Sequence, residues 1–398
     1  MGKIIVSVTP LPAAYDSRTL KIASSFARAG ARSIVFENRV SGGTPDVKNV
    51  NFRPLPPTGA AVVQSVEDFT HSNRRSSTAV HVAAVRSFIH LCRFVALYFI
   101  IKPLVALASI PAADIYYVHE YRLYPSLALV RRVRGGKIVY DAHDLYDRVL
   151  PSTKLNSVEK KILWPLIAFM HRAAARNADI VVTTSDSMAT VLAALALRPV
   201  LVVRNAHDPS LDSETTPGLR DRLGIPQEQL VCVVVGHRKT GQVLKPAIEA
   251  LARIKRKTHL VFVGRGYDGI VRDVQPGNLT LHAPGPLLPN EIVPFISDAD
   301  LSMLLYVDES ENYRCTLPNG LFQSVAANLA VLYPDLPEIR NFSTEIYGFP
   351  IDPESPDSIE RGIREIIDTE APETQTSSVL WEEEETKLVS ALSKLIAE

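Results

Sequence analysis

The sequence of 398 residues is poor in cysteine, and Cys92, Cys232 and Cys315 form no CxxC pair. Three cysteines with such spacing support neither a disulfide framework nor a cysteine-based zinc site, and they favour a reducing compartment. The amino terminus, MGKIIVSVTP, also lacks the charged region and the cleavable apolar stretch of a secretion signal. We therefore expect a cytoplasmic protein.

Familiar nucleotide and metal motifs are missing or misplaced. No GxxxxGK[ST] occurs, and the GxGxxG from Gly264 to Gly269 follows the second strand of its predicted domain without the acidic residue expected about 20 positions later. We interpret these glycines as a tight turn, although Gly264 and Arg265 could still approach a phosphate. The DxD of Asp298 and Asp300 falls at a helix-to-strand turn, where aspartate commonly caps the chain. We predict no dinucleotide cofactor and no metal ion.

The sequence carries no net charge, since 43 basic residues balance 43 acidic ones. The total therefore does not indicate a nucleic-acid-binding protein. The charge is unevenly distributed along the chain, however. Residues 1–200 hold 25 Lys and Arg against 13 Asp and Glu, whereas residues 201–398 hold 18 against 30. Either the basic half faces a polyanion or an anionic membrane, or solvated faces share the charge unevenly.

One apolar segment, residues 79–110, is the most hydrophobic part of the chain. Arg86, Arg93 and Lys102 interrupt it and Pro103 should kink or end a helix, so a membrane span is the least favoured interpretation. A helix lying in a membrane interface, with its basic groups at anionic head groups, fits these charges better. A buried helix of a large core is the alternative.

Short β-branched runs alternate with helical segments along the rest of the chain, a pattern typical of parallel sheets built from βαβ units. The length favours two cores, and the pattern restarts near residue 205. The predicted strands are Lys3–Thr9, Arg32–Phe36, Asp114–Val118, Lys137–Tyr140, Asp179–Thr183, Pro199–Val203, Gln229–Val235, His259–Val263, Asn278–His282, Asp300–Leu305 and Ala330–Leu332. The predicted helices are Ser17–Arg28, Val158–Arg176, Leu244–Lys255, Asn290–Ser297, Leu321–Asn328, Pro356–Ile367 and Val379–Ala397, the last after a linker at Thr369–Ser378.

Two places in this pattern carry chemistry. His119 with Glu120, and His143 with Asp141 and Asp144, lie just past the ends of two strands in the first domain. An imidazole there takes a proton from a hydroxyl, hydrogen-bonds a substrate, or is a satisfied structural histidine.

The second place is the loop Gly236–Gly241, GHRKTG, between a predicted strand and a predicted helix. Backbone amides and the helix dipole favour an anion at such a position. Arg238, Lys239 or Lys245 would add charged contacts to a diphosphate, and a solvated basic turn is the alternative.

Several stretches, taken in order, resemble glycosyltransferases of the GT-B fold in the retaining family 4 group. They are PLPAAYDSRTLKIASSFARAGARSIVFENR, DIYYVHEYRLYPSLALVRRVRGGKIVYDAHDLYDR, RNADIVVTTSDSMA, PVLVVRNAHD, NLTLHAPGPLLPNEIVPFISDADLSMLLY and TLPNGLFQSVAANLAVLYPDLPEI. The resemblance covers about residues 3–367. It implies an α/β fold of two Rossmann-like domains facing across a cleft, an acceptor domain at 1–204, a donor domain at 205–377, and a C-terminal helix at 378–398 that crosses back to the first domain.

The resemblance also implies roles for particular residues. A nucleotide-sugar donor would be bound without a metal, and the acceptor would be a glycan, a lipid-linked molecule or a small molecule. We assign catalysis to His119, Glu120 and His143, and the acceptor side to Asp16, Arg18 and Asp144. The donor phosphates are assigned to Gly236, Arg238, Lys239, Lys245, Gly264 and Arg265, and the donor nucleoside and sugar to Leu288, Thr316, Leu317, Asn319 and Gln323.

The chain departs from the family pattern at the donor motif. Cys315 and Gln323 stand where the family often has two glutamates, Gly320 replaces a lysine, and Asn328 replaces a glycine at a helix end. We expect a cytoplasmic glycosyltransferase, peripheral to an anionic membrane surface, that transfers a sugar to an acceptor hydroxyl with retention. The alternative is a catalytically silent GT-B protein that binds a partner enzyme or a glycan.

Overall fold

The computed structural model describes residues 2–38, 47–56, 91–146, 157–273, 277–369 and 380–397. Contacts divide the chain into two compact units. Unit 1 comprises Met1–Thr183, Ala189–Leu201 and Val389–Glu398, and unit 2 comprises Thr184–Met188 and Val202–Leu388. The predicted linker, apart from Thr369, and residues 79–90 of the apolar segment lie outside the described residues.

Unit 1 is built on a sheet of seven strands. They are β1 (Ile4–Val8), β2 (Arg32–Glu37), β3 (Val50–Pro54), β4 (Ile115–Val118), β5 (Lys137–Asp141), β6 (Ile180–Thr183) and β7 (Leu201–Val202). Their order is β3-β2-β1-β4-β5-β6-β7, and the pairs from β3 to β6 are parallel. The central strands are buried on both faces, as expected of near-continuous apolar runs.

Helices connect these strands. They are α1 (Ser17–Arg28), α2 (Leu91–Ser109, with a π-helical stretch at Leu97–Ile101), α3 (Tyr124–Arg134), α4 (Ser157–Asn177) and α5 (Asp186–Ala196), with 3-10 turns at Ala13–Tyr15 and Tyr121–Leu123. Helix α1 begins where the Asp16 side chain accepts a hydrogen bond from the Thr19 amide. The last helix of the chain, α14 (Trp381–Ala397), begins in unit 2 and ends in unit 1.

Unit 2 has a parallel sheet of six strands. They are β8 (Leu230–Val235), β9 (Thr258–Val263), β10 (Leu279–Gly285), β11 (Leu301–Met303), β12 (Ala330–Pro334) and β13 (Gly348–Ile351), in the order β10-β9-β8-β11-β12-β13. Its helices are α6 (Leu219–Leu223), α7 (Lys245–Ala252), α8 (Asp268–Asp273), α9 (Pro289–Ile296), α10 (Glu311–Cys315), α11 (Asn319–Ala326), α12 (Pro337–Phe342) and α13 (Pro356–Asp368), with 3-10 turns at Pro209–Leu211 and Ser343–Glu345.

The prediction of two Rossmann-like α/β domains is confirmed. The expected strands form within a few residues of their predicted bounds, whereas β3 and β13 were not predicted. Both are half-exposed strands at a sheet edge and contain proline, Pro54 in β3 and Pro350 in β13. Proline is tolerated at an edge because no ladder hydrogen bond is needed on the open side.

Both motifs that we discounted have structural roles. The Asp298 carboxylate accepts hydrogen bonds from the Leu219 and Arg220 amides, each at 3.0 Å, and so caps helix α6. Asp300 accepts from the Arg220 guanidinium at 2.9 Å. In the GxGxxG segment, Gly264 has a φ of +155°, as expected of a glycine turn.

The apolar segment forms a single helix over its described part, α2, which is long and apolar enough to cross a membrane. Of its residues only Pro103 and Ala106 are buried. The alternative interpretation of a buried core helix is therefore wrong for residues 91–109. A pair of arginines in α3, Arg132 and Arg134, is also exposed.

A histidine pair at the amino end of the unit 2 sheet leads to a pH prediction. His259 Nδ1 lies 2.9 Å from His282 Nε2, and His259 Nε2 lies 2.6 Å from Gln229 Oε1. Burial, with the positive charge of His282 and Lys257, lowers the pKa of His259 to about 4. Between pH 6.5 and 4 the unfolded chain therefore binds a proton at His259 that the folded chain does not.

We predict that the stability contributed by His259 is fully present above pH 6.5 and is lost as the pH falls toward 4. The loss has a limiting slope of about 1.4 kcal/mol per pH unit. Urea denaturation at a series of pH values should show a shallower decline for His259→Gln than for the wild type. Parallel declines would contradict the assignment, since the remaining titrating groups are the same in both proteins.

Candidate functional site

The first candidate site lies at the carboxyl ends of β1, β4 and β5, which are adjacent in the unit 1 sheet. His119 follows β4, Asp141 ends β5, and Asp16 precedes α1 after the loop that leaves β1. Ligands of open α/β sheets bind at this edge, because the strands end there and their loops are free to vary.

Asp141 is the centre of this site and is fully buried. It accepts two hydrogen bonds from Arg18, at 2.7 and 2.9 Å, and one from the Tyr117 hydroxyl at 3.1 Å. His119 Nδ1 lies 3.7 Å from the same carboxylate. Burial alone would raise the pKa of Asp141, but the guanidinium of Arg18 and its hydrogen bonds hold that pKa below its usual value.

His119 is 2% exposed. Burial lowers its pKa to about 4, in opposition to the charges of Asp141 and Asp16, which raise it. Its Nε2 has no hydrogen-bond partner among the described residues. A buried acceptor or donor without a partner is costly, and here it lies at the edge where a ligand is expected.

Of the other unit 1 residues that the sequence analysis assigned to the site, Asp16 lies in the site around Asp141, and His143 has a different side-chain partner. Asp16 joins the site, since its carboxylate accepts from Thr9 Oγ1 at 2.9 Å and interacts electrostatically with His119. His143 contacts the Tyr146 hydroxyl through Nε2 at 3.1 Å. Its Nδ1 is buried without a hydrogen-bond partner among the residues that the structure describes.

Glu120 and Asp144 have different environments. The Glu120 carboxylate forms a two-point ion pair with Arg122, including one hydrogen bond of 2.7 Å. Asp144 lies near Tyr146, whose pKa is raised well above its usual value by burial and by the charge of Asp144. Glu120, although it follows His119 in sequence, is therefore paired with Arg122 and is not part of the cluster around Asp141.

The second candidate site lies at the carboxyl end of β8 in unit 2. A side chain on Gly264 would come within 2.3 Å of the Gly236 carbonyl oxygen, so the loops after β8 and β9 touch there. The Arg238 amide donates to the Arg265 carbonyl at 2.9 Å, and the Arg265 amide donates to His237 Nδ1 at 3.1 Å. The predicted phosphate residues Gly236, Arg238, Gly264 and Arg265 are therefore brought together.

Two further cations of this region differ in position. Lys239 lies in the loop and is exposed, and burial together with the charges of Arg265 and Lys239 lowers the pKa of His237. Lys245 lies in the first turn of α7, where its ammonium is 3.9 Å from Glu249 and almost fully exposed. Lys239 is thus part of the loop Gly236–Gly241, which we call the basic loop. Lys245 lies outside this loop and is close to the acidic Glu249.

Helix α11 begins against the end of the same strand. A side chain on Gly320 would lie 2.5 Å from the Val235 carbonyl oxygen, so only glycine fits there. Pro318 precedes the helix and supplies no side-chain cap. The first turn of α11, with the positive end of the helix dipole, therefore lies beside the end of β8, where the loop Gly236–Gly241 begins.

The residues assigned to the donor nucleoside and sugar lie along this helix and before it. The Gln323 side chain is 9% exposed and forms no hydrogen bond with a described residue. By contrast, Thr316 Oγ1 donates to the Asn312 carbonyl at 2.6 Å, and Leu317 is part of the core. Leu288 is 37% exposed and precedes α9, and Asn319 is exposed, whereas Thr316 is half-buried and Leu317 and Gln323 are buried.

Two tyrosines form hydrogen bonds with the backbone of the basic loop, and the sequence analysis did not identify them. The Tyr267 hydroxyl lies 3.0 Å from the Gly236 carbonyl, and the Tyr313 hydroxyl donates to the Thr240 carbonyl. Tyr306 and Tyr313 pack with ring centroids 5.5 Å apart. Tyr267 and Tyr306 follow strands β9 and β11, and Tyr313 lies in helix α10, and such positions are too common to identify residues that fix a loop.

No protein-family model matches the sequence, and no curated protein sequence does either. Glycosyltransferases are among the solved structures of similar fold. Sucrose-phosphate synthase from Thermosynechococcus elongatus has a TM-score of 0.69 and 13% identity, with 99% of each chain covered. Anabaena HepE, solved with UDP and glucose, has a TM-score of 0.62 and 13% identity, covering 98% of this chain and 100% of its own. WaaG, a glycosyltransferase involved in lipopolysaccharide biosynthesis, has a TM-score of 0.57 and 16% identity, with 98% and 95% covered. The fold is therefore that of the GT-B glycosyltransferases.

The contact between Gly320 and β8 yields a prediction with an internal control. Gly320→Ala should lower the free energy of unfolding by about 1–3 kcal/mol, because its new methyl group would overlap the Val235 carbonyl. Gly269→Ala adds the same group where no atom lies within 4 Å, and it should leave stability unchanged or slightly raised. Thermal unfolding measures both, and equal melting temperatures for the two variants would contradict the steric argument.

Proposed function

We propose that the protein is a glycosyltransferase that moves a sugar from a nucleoside diphosphate to an acceptor hydroxyl, with retention and without a further cofactor. The observation that carries the proposal is that the basic loop, the Gly264 turn and the first turn of α11 meet at the end of β8 in unit 2. The GT-B fold supports it. In this proposal unit 2 binds the donor and unit 1 binds the acceptor.

Each part of the proposed donor site has a chemical task. The amides of the loop and of the α11 turn would hydrogen-bond phosphate oxygens. Arg238 and Lys239 would stabilise the charge that develops on the leaving diphosphate. Gln323 would accept a hydrogen bond from a ribose hydroxyl, as a neutral replacement for a carboxylate.

UDP is a suitable first probe because HepE was solved with UDP, with GDP and ADP tested beside it. Calorimetry on the full chain should detect binding of at least one of these nucleotides. Arg238→Ala should weaken that binding about 10- to 100-fold, since a charge-assisted contact is worth about 1.5–3 kcal/mol. Gln323→Ala should weaken it about 2- to 10-fold.

A matched control is Arg253→Ala, which removes an arginine that pairs with Asp357 and Glu360 on another face of unit 2. It should leave nucleotide affinity unchanged. Equal losses in Arg238→Ala and Arg253→Ala would mean that only net charge matters. If no nucleotide binds the wild type, the transferase proposal fails and the silent GT-B protein replaces it, in line with the residues at 315, 320, 323 and 328.

We propose in addition that α2 attaches the protein to an anionic membrane surface. Its exposed apolar side chains are Val95, Ile100, Ile101 and Leu104, of which Leu104 is 58% exposed. Basic groups lie beside them: the Lys102 ammonium is 4.2 Å from the Tyr98 ring centroid, and Arg93 is exposed. An apolar ridge with flanking cations matches the chemistry of an interfacial helix.

The packing of α2 favours attachment over spanning. Pro103 and Ala106 face the protein, and the helix packs along α3. The Arg134 guanidinium of α3 donates to the Leu107 carbonyl at 2.6 Å. A span would require this helix to leave α3, whereas an interfacial helix keeps these contacts and inserts only its outer face.

Sedimentation with vesicles tests the attachment. Phosphatidylglycerol vesicles should bind the protein more strongly than phosphatidylcholine vesicles, and salt should reduce the difference because it screens the head groups. Ile101→Asp with Leu104→Asp should lower the partition coefficient about 10-fold or more. Leu197→Asp changes another exposed leucine of unit 1, 73% exposed, and should have little effect. Equal binding by both variants would contradict the role of α2.

A further inference from the structure

The carboxylate of Asp141 is arranged so that it decides which nitrogen of His119 carries the proton. Its two oxygens already accept from Arg18 and from the Tyr117 hydroxyl, and its Oδ2 lies 3.7 Å from His119 Nδ1. All four side chains are at most 5% exposed. Water therefore does little to screen these charges from one another.

Arg18 balances the charge of Asp141, so the site does not require a cationic imidazole. A neutral imidazole carries a single proton, on either Nδ1 or Nε2. If the proton were on Nε2, the lone pair of Nδ1 would face a carboxylate, which is repulsive. With the proton on Nδ1, the N–H dipole points toward Asp141 and the lone pair occupies Nε2.

The other charged and aromatic groups near His119 are Asp16, His143 and Tyr117. Asp16 contributes a second negative charge, and its pKa is held below its usual value in part by His119 and His143, although burial opposes this. His143 contributes no hydrogen bond to His119. The Tyr117 ring lies 4.9 Å from the imidazole, centroid to centroid, and its hydroxyl is directed to Asp141 instead.

We infer that Asp141 is a positioning residue that holds the proton of His119 on Nδ1, so that Nε2 accepts a hydrogen bond from a hydroxyl group of the bound substrate. The inference rests on the proposed function for the identity of the substrate, a sugar or acceptor that carries hydroxyls. His119 could serve either to hydrogen-bond a substrate hydroxyl or to remove its proton. The inference selects the first role, because a neutral and weakly basic imidazole binds a hydroxyl rather than deprotonating it.

The tautomer can be measured directly in the full-length protein without any substrate. Nitrogen-15 labelling of histidine separates protonated from unprotonated ring nitrogens by NMR, and the His119→Gln spectrum identifies the His119 signals by their loss. At pH 7 we expect a neutral His119 with hydrogen on Nδ1 and none on Nε2. Hydrogen on Nε2 alone, or a cationic ring, would overturn the inference.

Two variants test whether Asp141 sets the tautomer of His119. Asp141→Asn removes the charge and should increase the population with hydrogen on Nε2, whereas Tyr117→Phe removes only one bond to the carboxylate and should keep the wild-type tautomer. Because Asp141→Asn leaves Arg18 without its ion pair, it could fail to fold, and then the wild-type spectrum and Tyr117→Phe still decide. An unchanged tautomer in folded Asp141→Asn would show that Asp141 does not set it.

The pH dependence of sugar transfer shows whether His119 hydrogen-bonds a substrate hydroxyl or removes its proton. With a donor and acceptor found by mass spectrometry from a panel of nucleotide sugars, His119→Gln should lower kcat/KM but keep the shape of the profile between pH 5.5 and 8, since neither side chain titrates there. A limb near pH 6.5 that is present in the wild type and absent in His119→Gln would overturn the inference. Failure to find any transfer bears on the proposed function, and the tautomer measurement remains decisive for the positioning role.

Discussion

The ion pair between Arg18 and Asp141 is the interaction on which unit 1 depends. Both groups are buried, and removing either would leave an uncompensated charge in the interior. The pair joins the first turn of α1 to the last residue of β5, so it fixes a helix relative to a strand two positions away in the sheet. Tyr117, on the strand between, donates to the same carboxylate, and His119, just after that strand, lies beside it.

The fold was largely predictable because parallel strands are buried on both faces and appear as apolar runs. The runs ending at Val118 and Val235 were recognised for this reason, and the chemistry that follows them was found by position alone. Asp141 was noted beside His143 but was assigned no role, since its partner Arg18 is far away in sequence and only the sheet order brings them together. The tyrosines that fasten the basic loop were missed for the same reason.

The substitutions in the donor motif acquire different meanings in the structure. Gly320 is dictated by the Val235 carbonyl, so the lysine expected from the family has no room at this backbone position. Asn328 adopts a φ of +57°, a left-handed conformation that asparagine tolerates better than most residues, and it can end a helix as glycine does. Gln323 remains the change with a direct chemical consequence, because it exchanges a charged acceptor for a neutral one.

The contact between Gly236 and Gly264 bears on how a ligand would be received. Since the two loops touch through their backbones and are linked by the Arg238 and Arg265 amides, neither can move far without the other. Tyr267 and Tyr313 fasten the same loop from its other sides. An anion arriving there would meet amides that are already oriented, so the loss of loop entropy would occur during folding rather than on binding. Association at this site should accordingly be fast and accompanied by little change in backbone mobility.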